Sequence, residues 1–196
     1  MQGTDRHLAT EHWLLSTLDG PHRDRARLEW QEHGVALLPL GGLFSAVRLP
    51  GRLVEAAVGR PFASAEVDAF LAESLHGCPV IYDPHGQRYY ALVPATKPVT
   101  WKKAVDDWRV VDVDCLGRGT YLGVPRVTVT RLEAQARVSY WSVPIASAAL
   151  MCAPLTVARL IAAGRHRMPE EPETWRRRRP RRWALCDHDE SASEAP

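Results

Sequence analysis

The sequence lacks any long hydrophobic run. No stretch approaches the roughly 18 to 20 uncharged apolar residues that a membrane-spanning helix requires, and residues 1–11 are polar and mixed in charge. The sequence therefore predicts neither a membrane anchor nor a signal peptide. Because 45% of its 196 residues are hydrophobic, we expect one soluble, cytoplasmic domain with a sizeable core.

Cysteine is scarce and widely spaced. The four cysteines are Cys78, Cys115, Cys152 and Cys186. No C-x-x-C pair occurs among them, which excludes the usual zinc-knuckle and dithiol redox motifs. We expect reduced and mostly buried thiols, as is usual for intracellular proteins.

Lysine is also scarce, with 3 lysines against 22 arginines, a bias typical of a high-GC genome. Residues 169–196 are dominated by Pro, Glu, Arg, Ser and Asp, and they hold six arginines in one short block. A segment of this composition cannot bury enough apolar surface to offset its ordering entropy. We predict a disordered arginine-rich tail, whose basic residues are Arg176, Arg177, Arg178, Arg179, Arg181 and Arg182.

Familiar catalytic motifs are missing as well. The sequence has no G-x-S-x-G elbow, P-loop or G-x-G-x-x-G fingerprint. Its glycine pairs, at 41–42 and at 117 and 119, are too short to identify a phosphate cradle. We therefore expect no self-sufficient catalytic constellation.

What is present predicts an α+β fold. Residues 7–18 and 21–33 show helical spacing around a break at Asp19-Gly20-Pro21, so residues 1–33 should form a helical hairpin packed on a domain of residues 34–168. Hydrophobic runs bounded by turn residues predict strands at 35–39, 44–49, 79–82, 88–93, 110–114, 121–124 and 139–143. Helices are expected at 52–59, 65–75 (with Ser64 as N-cap), 100–107 and 154–163. We expect 35–39 to pair with 44–49, and 79–82 with 88–93, as hairpins within a mainly antiparallel sheet covered by helices.

Two patterns could carry chemistry. Asp112 and Asp114 alternate along a predicted strand, so both carboxylates could face a Mg²⁺ or Mn²⁺ ion; the alternative is a solvated pair at a turn. The arginines between Trp175 and Trp183 suit phosphate neutralisation with base stacking. Here the alternative is a solvated tail screened by its acidic flanks.

The order of local patterns from His33 to about Gly164 resembles the primase-polymerase (Prim-Pol) domain of bifunctional DNA primase/polymerases, specifically the divergent copies of actinobacteria. The stretches that carry the resemblance are HGVALLPL (33–40), FSAVRLP (44–50), GCPVIYDPHGQRYYALVP (77–94), DCLGRGTYLGVP (114–125) and YWSVP (140–144). The resemblance covers about two-thirds of the chain and implies an RRM-like sheet.

The departures from this family imply a degenerate active site. The family's metal-binding Asp-x-Asp/Glu pair falls at Arg48 and Pro50, and its histidine falls at Tyr89. Only the third family aspartate has a match, Asp114. Two-metal phosphoryl transfer needs several carboxylates, so the resemblance implies the fold and argues against the activity.

Three functions follow as hypotheses, none of which predicts an oligomeric state. The leading one is a non-catalytic Prim-Pol-like module that needs no cofactor and binds nucleic acid or a nucleotide through Arg48, Arg88, Tyr89, Asp114 and Arg118, with the tail arginines as an electrostatic anchor. The first alternative is a protein-interaction or regulatory adaptor that exposes Trp13, Trp30 and Trp101. The second is a Mg²⁺- or Mn²⁺-dependent nucleotidyltransferase built on Asp112 and Asp114.

Overall fold

A computed structural model describes residues 2–59, 65–96, 101–132 and 137–168. Its elements, in chain order, are α1 (Gln2–Leu15), α2 (Gly20–His33), β1 (Val35–Pro39), β2 (Phe44–Pro50), α3 (Gly51–Val58), α4 (Ala65–Ser74), β3 (Val80–Asp83), β4 (Arg88–Pro94), α5 (Lys102–Trp108), a 3₁₀ helix (Arg109–Val111), β5 (Asp114–Leu116), β6 (Tyr121–Pro125), β7 (Tyr140–Val143) and α6 (Pro154–Arg167). Ser64 and the whole predicted tail, including Arg176–Arg182, lie outside the described residues. The arrangement confirms the predicted α+β class.

The N-terminal helices begin and end where the sequence predicts a break. The Asp19 carboxylate accepts a hydrogen bond from the backbone N–H of His22 and so caps α2, with Pro21 in the first turn. Gly34 ends α2 in the left-handed conformation, with φ 72°. None of the helices in the described ranges has the length and apolar character needed to cross a membrane.

The main sheet has five strands in the order β5-β2-β4-β3-β7, and every neighbouring pair is antiparallel. The predicted β3–β4 hairpin is confirmed, with Asp83 opposite Arg88. The Asp83 carboxylate accepts hydrogen bonds from the N–H groups of His85 and Gly86, which fixes the turn. The 3.0 and 3.2 Å lengths of these two bonds are ordinary.

The predicted β1–β2 hairpin is wrong. β1 pairs with β6 in a separate two-stranded antiparallel sheet, from Val35 opposite Pro125 to Pro39 opposite Tyr121. This pairing buries Ala36 and Leu38 beneath α2, and Gly41, at φ 85°, turns the chain away toward β2. On the other edge of β1, the Leu37 N–H donates to the Glu29 carboxylate of α2, at 3.3 Å.

Hydrophobic cores cover both faces of the five-stranded sheet. The first core packs α3, α4 and α6 against one face, and its sheet residues include Val47, Leu49, Val80, Tyr82, Tyr89, Ala91 and Val93. The second core packs α1, α2 and the β1–β6 sheet against the other face. Its sheet residues include Phe44, Ala46, Ile81, Leu92 and Trp141. The N-terminal hairpin is therefore part of the core of the domain.

The segment before β5 is not the predicted strand. Residues 109–111 form a 3₁₀ helix, and Asp112 adopts the left-handed conformation with φ 64°. Aspartate tolerates this conformation better than most residues because its short side chain bonds locally. Asp112 and Asp114 are thus not alternate residues of one strand.

Candidate functional site at the charged edge of the sheet

One transverse row of residues crosses the main sheet from a buried end to a charged end. Strand pairing places these side chains in the order Trp141, Ile81, Tyr90, Arg48 and Asp114. Trp141 and Ile81 are fully buried in the second core. Arg48 and Asp114 have side chains that are 29% and 31% exposed. The second core therefore ends in a pair of opposite charges, Arg48 on β2 and Asp114 on the edge strand β5.

A second charged pair joins the first at this edge. The Arg48 guanidinium contacts the Asp114 carboxylate, and its Nη2 lies 3.9 Å from Asp112 Oδ1. Arg88 Nη1 lies 2.9 Å from Asp112 Oδ2. We call Arg48, Arg88, Asp112 and Asp114 the edge cluster. Although Asp112 is not on the strand, its left-handed turn brings its carboxylate to the same place as that of Asp114.

Arg109 forms the outer layer of the edge cluster. Its Nε lies 4.0 Å from Asp114 Oδ1, while its Nη1 pairs with Asp106 at 3.1 Å. The Arg109 side chain is 66% exposed. Sequence analysis missed this residue because it begins a 3₁₀ helix, directly before the position at which a strand was predicted.

Arg48 is incompletely satisfied. Its Nε is buried and has no hydrogen-bond partner among the described residues. A buried donor without an acceptor costs roughly 1–3 kcal/mol. The edge cluster therefore keeps one of its guanidinium donors unused while the two carboxylates share another.

Tyr90 lies beside the edge cluster and was also missed. It is opposite Arg48 in the strand register. Burial and the Asp83 carboxylate raise the pKa of Tyr90, while the charges of Arg48 and Arg88 oppose that rise. The phenol is thus a neutral donor at this face. Strand alternation could have found it, since Tyr90 is two residues after Arg88.

Tyr89 faces the opposite way, and the structure removes it from the candidate site. It is 1% exposed in the first core, where its ring lies 4.6 Å from that of Tyr82. Burial, followed by the Coulombic influence of Tyr140 and Tyr82, raises its pKa strongly. Its hydroxyl is buried without a hydrogen-bond partner in the described part of the chain.

Arg118 does not join the edge cluster either. It is exposed in the turn after β5 and packs beside Gly41, where a Cβ on the glycine would overlap the Arg118 backbone. Asp114 is opposite Arg48, and Leu116 is opposite Ala46, so β5 runs from the edge cluster toward Arg118. Of the sequence-predicted residues, the structure brings together Arg48, Arg88, Asp112 and Asp114.

The two aspartates are a poor match to a divalent cation. Each already accepts from an arginine, so an ion would have to displace a guanidinium and face its repulsion. Within the described ranges, no group of three or more His, Cys, Asp and Glu side chains is placed to hold a metal. Mg²⁺ normally needs a near-octahedral set of oxygen ligands.

A second polar group lies between α4 and β7. The Asp68 carboxylate accepts hydrogen bonds from Tyr140 Oη at 3.1 Å and from Ser142 Oγ at 2.5 Å. Burial raises the pKa of Asp68, and these two hydrogen bonds partly oppose the rise. Since Tyr140 and Ser142 are buried, this group ties a helix to an edge strand and offers no open site.

The predicted surface of tryptophans is wrong. Trp30 is 4% exposed and donates from Nε1 to the Val124 carbonyl at 2.9 Å. Trp13 packs against Phe44, with ring centroids 5.5 Å apart. Trp101 packs edge-on against Trp108 and belongs to the other core. These three residues share no exposed face.

Comparison with known proteins adds no relative. No protein-family model, no curated protein and no solved structure matches the chain significantly. The resemblance to Prim-Pol domains therefore stays a prediction, and the function has to be argued from the edge cluster.

Proposed function

We propose that the chain is a non-catalytic, Prim-Pol-like module that binds a phosphate-bearing ligand, a nucleotide or single-stranded nucleic acid, at the edge cluster. The observation that carries this proposal is the meeting of Arg48, Arg88 and Arg109 around two carboxylates at a half-exposed edge of the sheet. Arginine suits phosphate because its planar fork offers several donors at once.

The edge cluster also supports the degenerate character of the module. Arg48 stands where the resemblance expects a metal-binding carboxylate, and its guanidinium contacts Asp114, the one matching acid. A fixed organic cation thus takes the role of counter-charge that a metal would otherwise have. Such a cation can attract a phosphate, but it cannot activate a hydroxyl for phosphoryl transfer as two bridged metal ions do.

Ligand phosphate would compete with Asp112 and Asp114 for these guanidinium groups. The carboxylates are 27% and 31% exposed, so they can turn toward water when displaced. The neutral Tyr90 phenol adds a donor next to the arginines. The tail arginines and a cytoplasmic location complete the proposal as sequence-based elements.

Fluorescence anisotropy of labelled single-stranded DNA across a salt series tests the proposal. The variant R88Q/R109Q should lower affinity at every salt concentration, and the slope of log K against log salt should fall by about 1 for each phosphate that is no longer neutralised. The matched control is R25Q/R27Q on α2, where both arginines are likewise paired with acids. We expect it to bind like the wild type.

Two further arms separate the sources of binding. Neutralising the six tail arginines in the full chain should weaken binding without abolishing the effect of R88Q/R109Q. Competition by a free nucleoside triphosphate shows whether a single nucleotide occupies the edge cluster. If the DNA and the triphosphate do not bind at low salt, or if R88Q/R109Q binds like the control, the edge cluster is a structural ion-pair network and the proposal fails.

A protein-interaction role is the second candidate, and it rests on different residues from those the sequence indicated. Leu37 and Tyr121 are 61% and 66% exposed on the β1–β6 sheet and line a surface groove of about 440 Å³ next to α2. The simplest such contact is with a second copy of the chain. Sedimentation velocity of the wild type and of L37S/Y121S tests it: dissociation on substitution supports this role, and a monomeric wild type removes it.

A further inference from the structure

Two cysteines from distant parts of the chain lie side by side in the first core. Cys78 follows α4 and precedes β3, and Cys152 precedes α6. Their exposures are 7% and 1%. Both are free thiols in the structure, and neither has a role in the edge cluster.

The contacts between the two segments are reciprocal. Cys78 Sγ donates to the carbonyl of Met151 at 3.7 Å, and Cys152 Sγ donates to the carbonyl of Pro79 at 3.6 Å. Each thiol therefore bonds to the residue next to the other cysteine. A pair of crossed contacts of this kind requires the two backbones to run closely past each other.

Backbone hydrogen bonds hold this approach in place. The Cys152 N–H donates to the Leu92 carbonyl at 2.7 Å, and the Leu92 N–H donates to the Pro79 carbonyl at 3.2 Å. Leu92 of β4 therefore bonds both to Cys152 and to Pro79, the residue after Cys78. Burial raises the pKa of Cys152, and a Coulombic interaction and a hydrogen bond with Cys78 raise it further.

We propose that Cys78 and Cys152 are a latent disulfide pair, closed by a two-electron oxidant of the peroxide class. One thiolate attacks hydrogen peroxide, the O–O bond breaks, and a sulfenic acid and water result. The second thiol then attacks that sulfur, forming the S–S bond and releasing a second water. In total, two thiols lose two protons and two electrons, and one peroxide becomes two waters.

The bond would join the α4–β3 connection to the start of α6. Because the closed loop runs from residue 78 to residue 152, the cross-link should restrict the unfolded chain and stabilise the fold. The reaction should be slow near neutral pH, since the thiolate is the nucleophile and both thiols are buried. We therefore expect the disulfide to form under sustained oxidising conditions and not on brief exposure to peroxide.

Cys115 provides the internal comparison. It is half-buried on β5, and burial, with a smaller contribution from Asp114, raises its pKa to about 11. A half-buried thiol is more accessible to peroxide than the pair. We expect disulfide formation to depend on proximity to a second thiol and not on access to peroxide.

The experiment oxidises the full-length protein with hydrogen peroxide, then denatures it, alkylates the free thiols and maps the peptides without reduction. We expect a peptide linked through Cys78 and Cys152 that is about 2 Da lighter than its two separate peptides, with Cys115 and Cys186 in no disulfide. The melting temperature should rise by on the order of 10 °C and return after reduction.

The variant C115S/C186S keeps only the proposed pair and should lose both remaining thiols on oxidation. C78S should abolish the link and the rise in melting temperature. If C78S fails to fold, the wild-type peptide map and the C115S/C186S thiol count still decide. A disulfide through Cys115 or Cys186, a sulfinic acid in place of the link, or four thiols that persist at complete peroxide exposure would each overturn the proposal.

Discussion

The two faces of the five-stranded sheet are built from the same strands, but they end differently. On the face packed by α3, α4 and α6, the tyrosines at positions 82, 89 and 140 are buried. Asp68 accepts a hydrogen bond from the Tyr140 hydroxyl on this face. On the other face, the row that starts at buried Trp141 reaches solvent at Arg48 and Asp114. The first face is closed, and the second opens into the edge cluster.

This difference shows how a single strand can serve both structure and function. Along β4, Tyr89 enters the first core, while its neighbours Arg88 and Tyr90 point to the other face. Alternation of side chains separates the two environments by one residue. A candidate site therefore lies where a core reaches the edge of the sheet.

The largest expected effect on stability tests whether the second core is tightly packed around Trp141. Trp141 is 0% exposed and donates from Nε1 to the Pro125 carbonyl at 3.1 Å. W141A should lower the free energy of unfolding by about 3–5 kcal/mol, since it leaves a cavity and an unpaired carbonyl. Urea denaturation measures this value. W141F is the control that keeps most of the ring, and an Ala cost no larger than the Phe cost would mean that the second core is loose.

The next effect tests the first face. A Cβ on Gly164 of α6 would lie 2.5 Å from the Leu53 carbonyl oxygen and 2.8 Å from Leu53 Cγ. G164A should therefore destabilise the fold by about 1–3 kcal/mol, because α3 and α6 must separate. G20A on α2, where a Cβ would meet nothing within 4 Å, is the matched control. Equal stabilities of the two variants in urea would contradict the close packing.

A smaller effect concerns the edge cluster. A double-mutant cycle of R48M and D114N should give a coupling energy of about 1 kcal/mol, since the partners are only partly withdrawn from water. The coupling should shrink as salt is raised. A coupling of zero at low salt would place Arg48 and Asp114 apart in solution and would weaken the binding proposal with it.

The smallest expected effect is a pH dependence of stability that comes from Asp68. Burial raises the pKa of Asp68 above its ordinary value of 3.8, so the folded state holds this proton more tightly than the unfolded chain. Its contribution is complete below pH 3.8 and is lost as pH rises through the folded pKa. D68N should consequently gain stability relative to the wild type as pH rises from about 3.5 to 7. Denaturation at several pH values measures this, and a relative loss would reverse the sign of the shift.

Much of the local structure could be predicted from the sequence because the signals are local. The Asp19 cap, the Gly34 stop and the turn after Asp83 each depend on residues within one turn of each other. The β1–β6 pairing could not be predicted in this way. It joins Val35 to Pro125, and a short glycine loop after β1 favours the wrong partner when only neighbouring strands are considered.

Some residues of the candidate site were predicted to lie together for a reason that the structure does not show. Asp112 and Asp114 do share a location, but a left-handed turn brings them together and not strand alternation. Alternation would have paired Tyr90 with Arg88 in place of Tyr89, had the register with Arg48 been known. Arg109 depends on the 3₁₀ helix and has no signal in the spacing of charges.

The hydrogen bond from the Leu37 N–H to Glu29 also bears on how this protein behaves at high concentration. A two-stranded sheet has open edges, and an open edge is a template for another strand. Here a carboxylate from α2 takes the backbone donor at the centre of β1, and its ion pair with Arg25 places charged side chains where an incoming strand would have to lie. One backbone donor of this edge is thus closed to strand pairing by the side chain of a helix that is itself not part of the sheet.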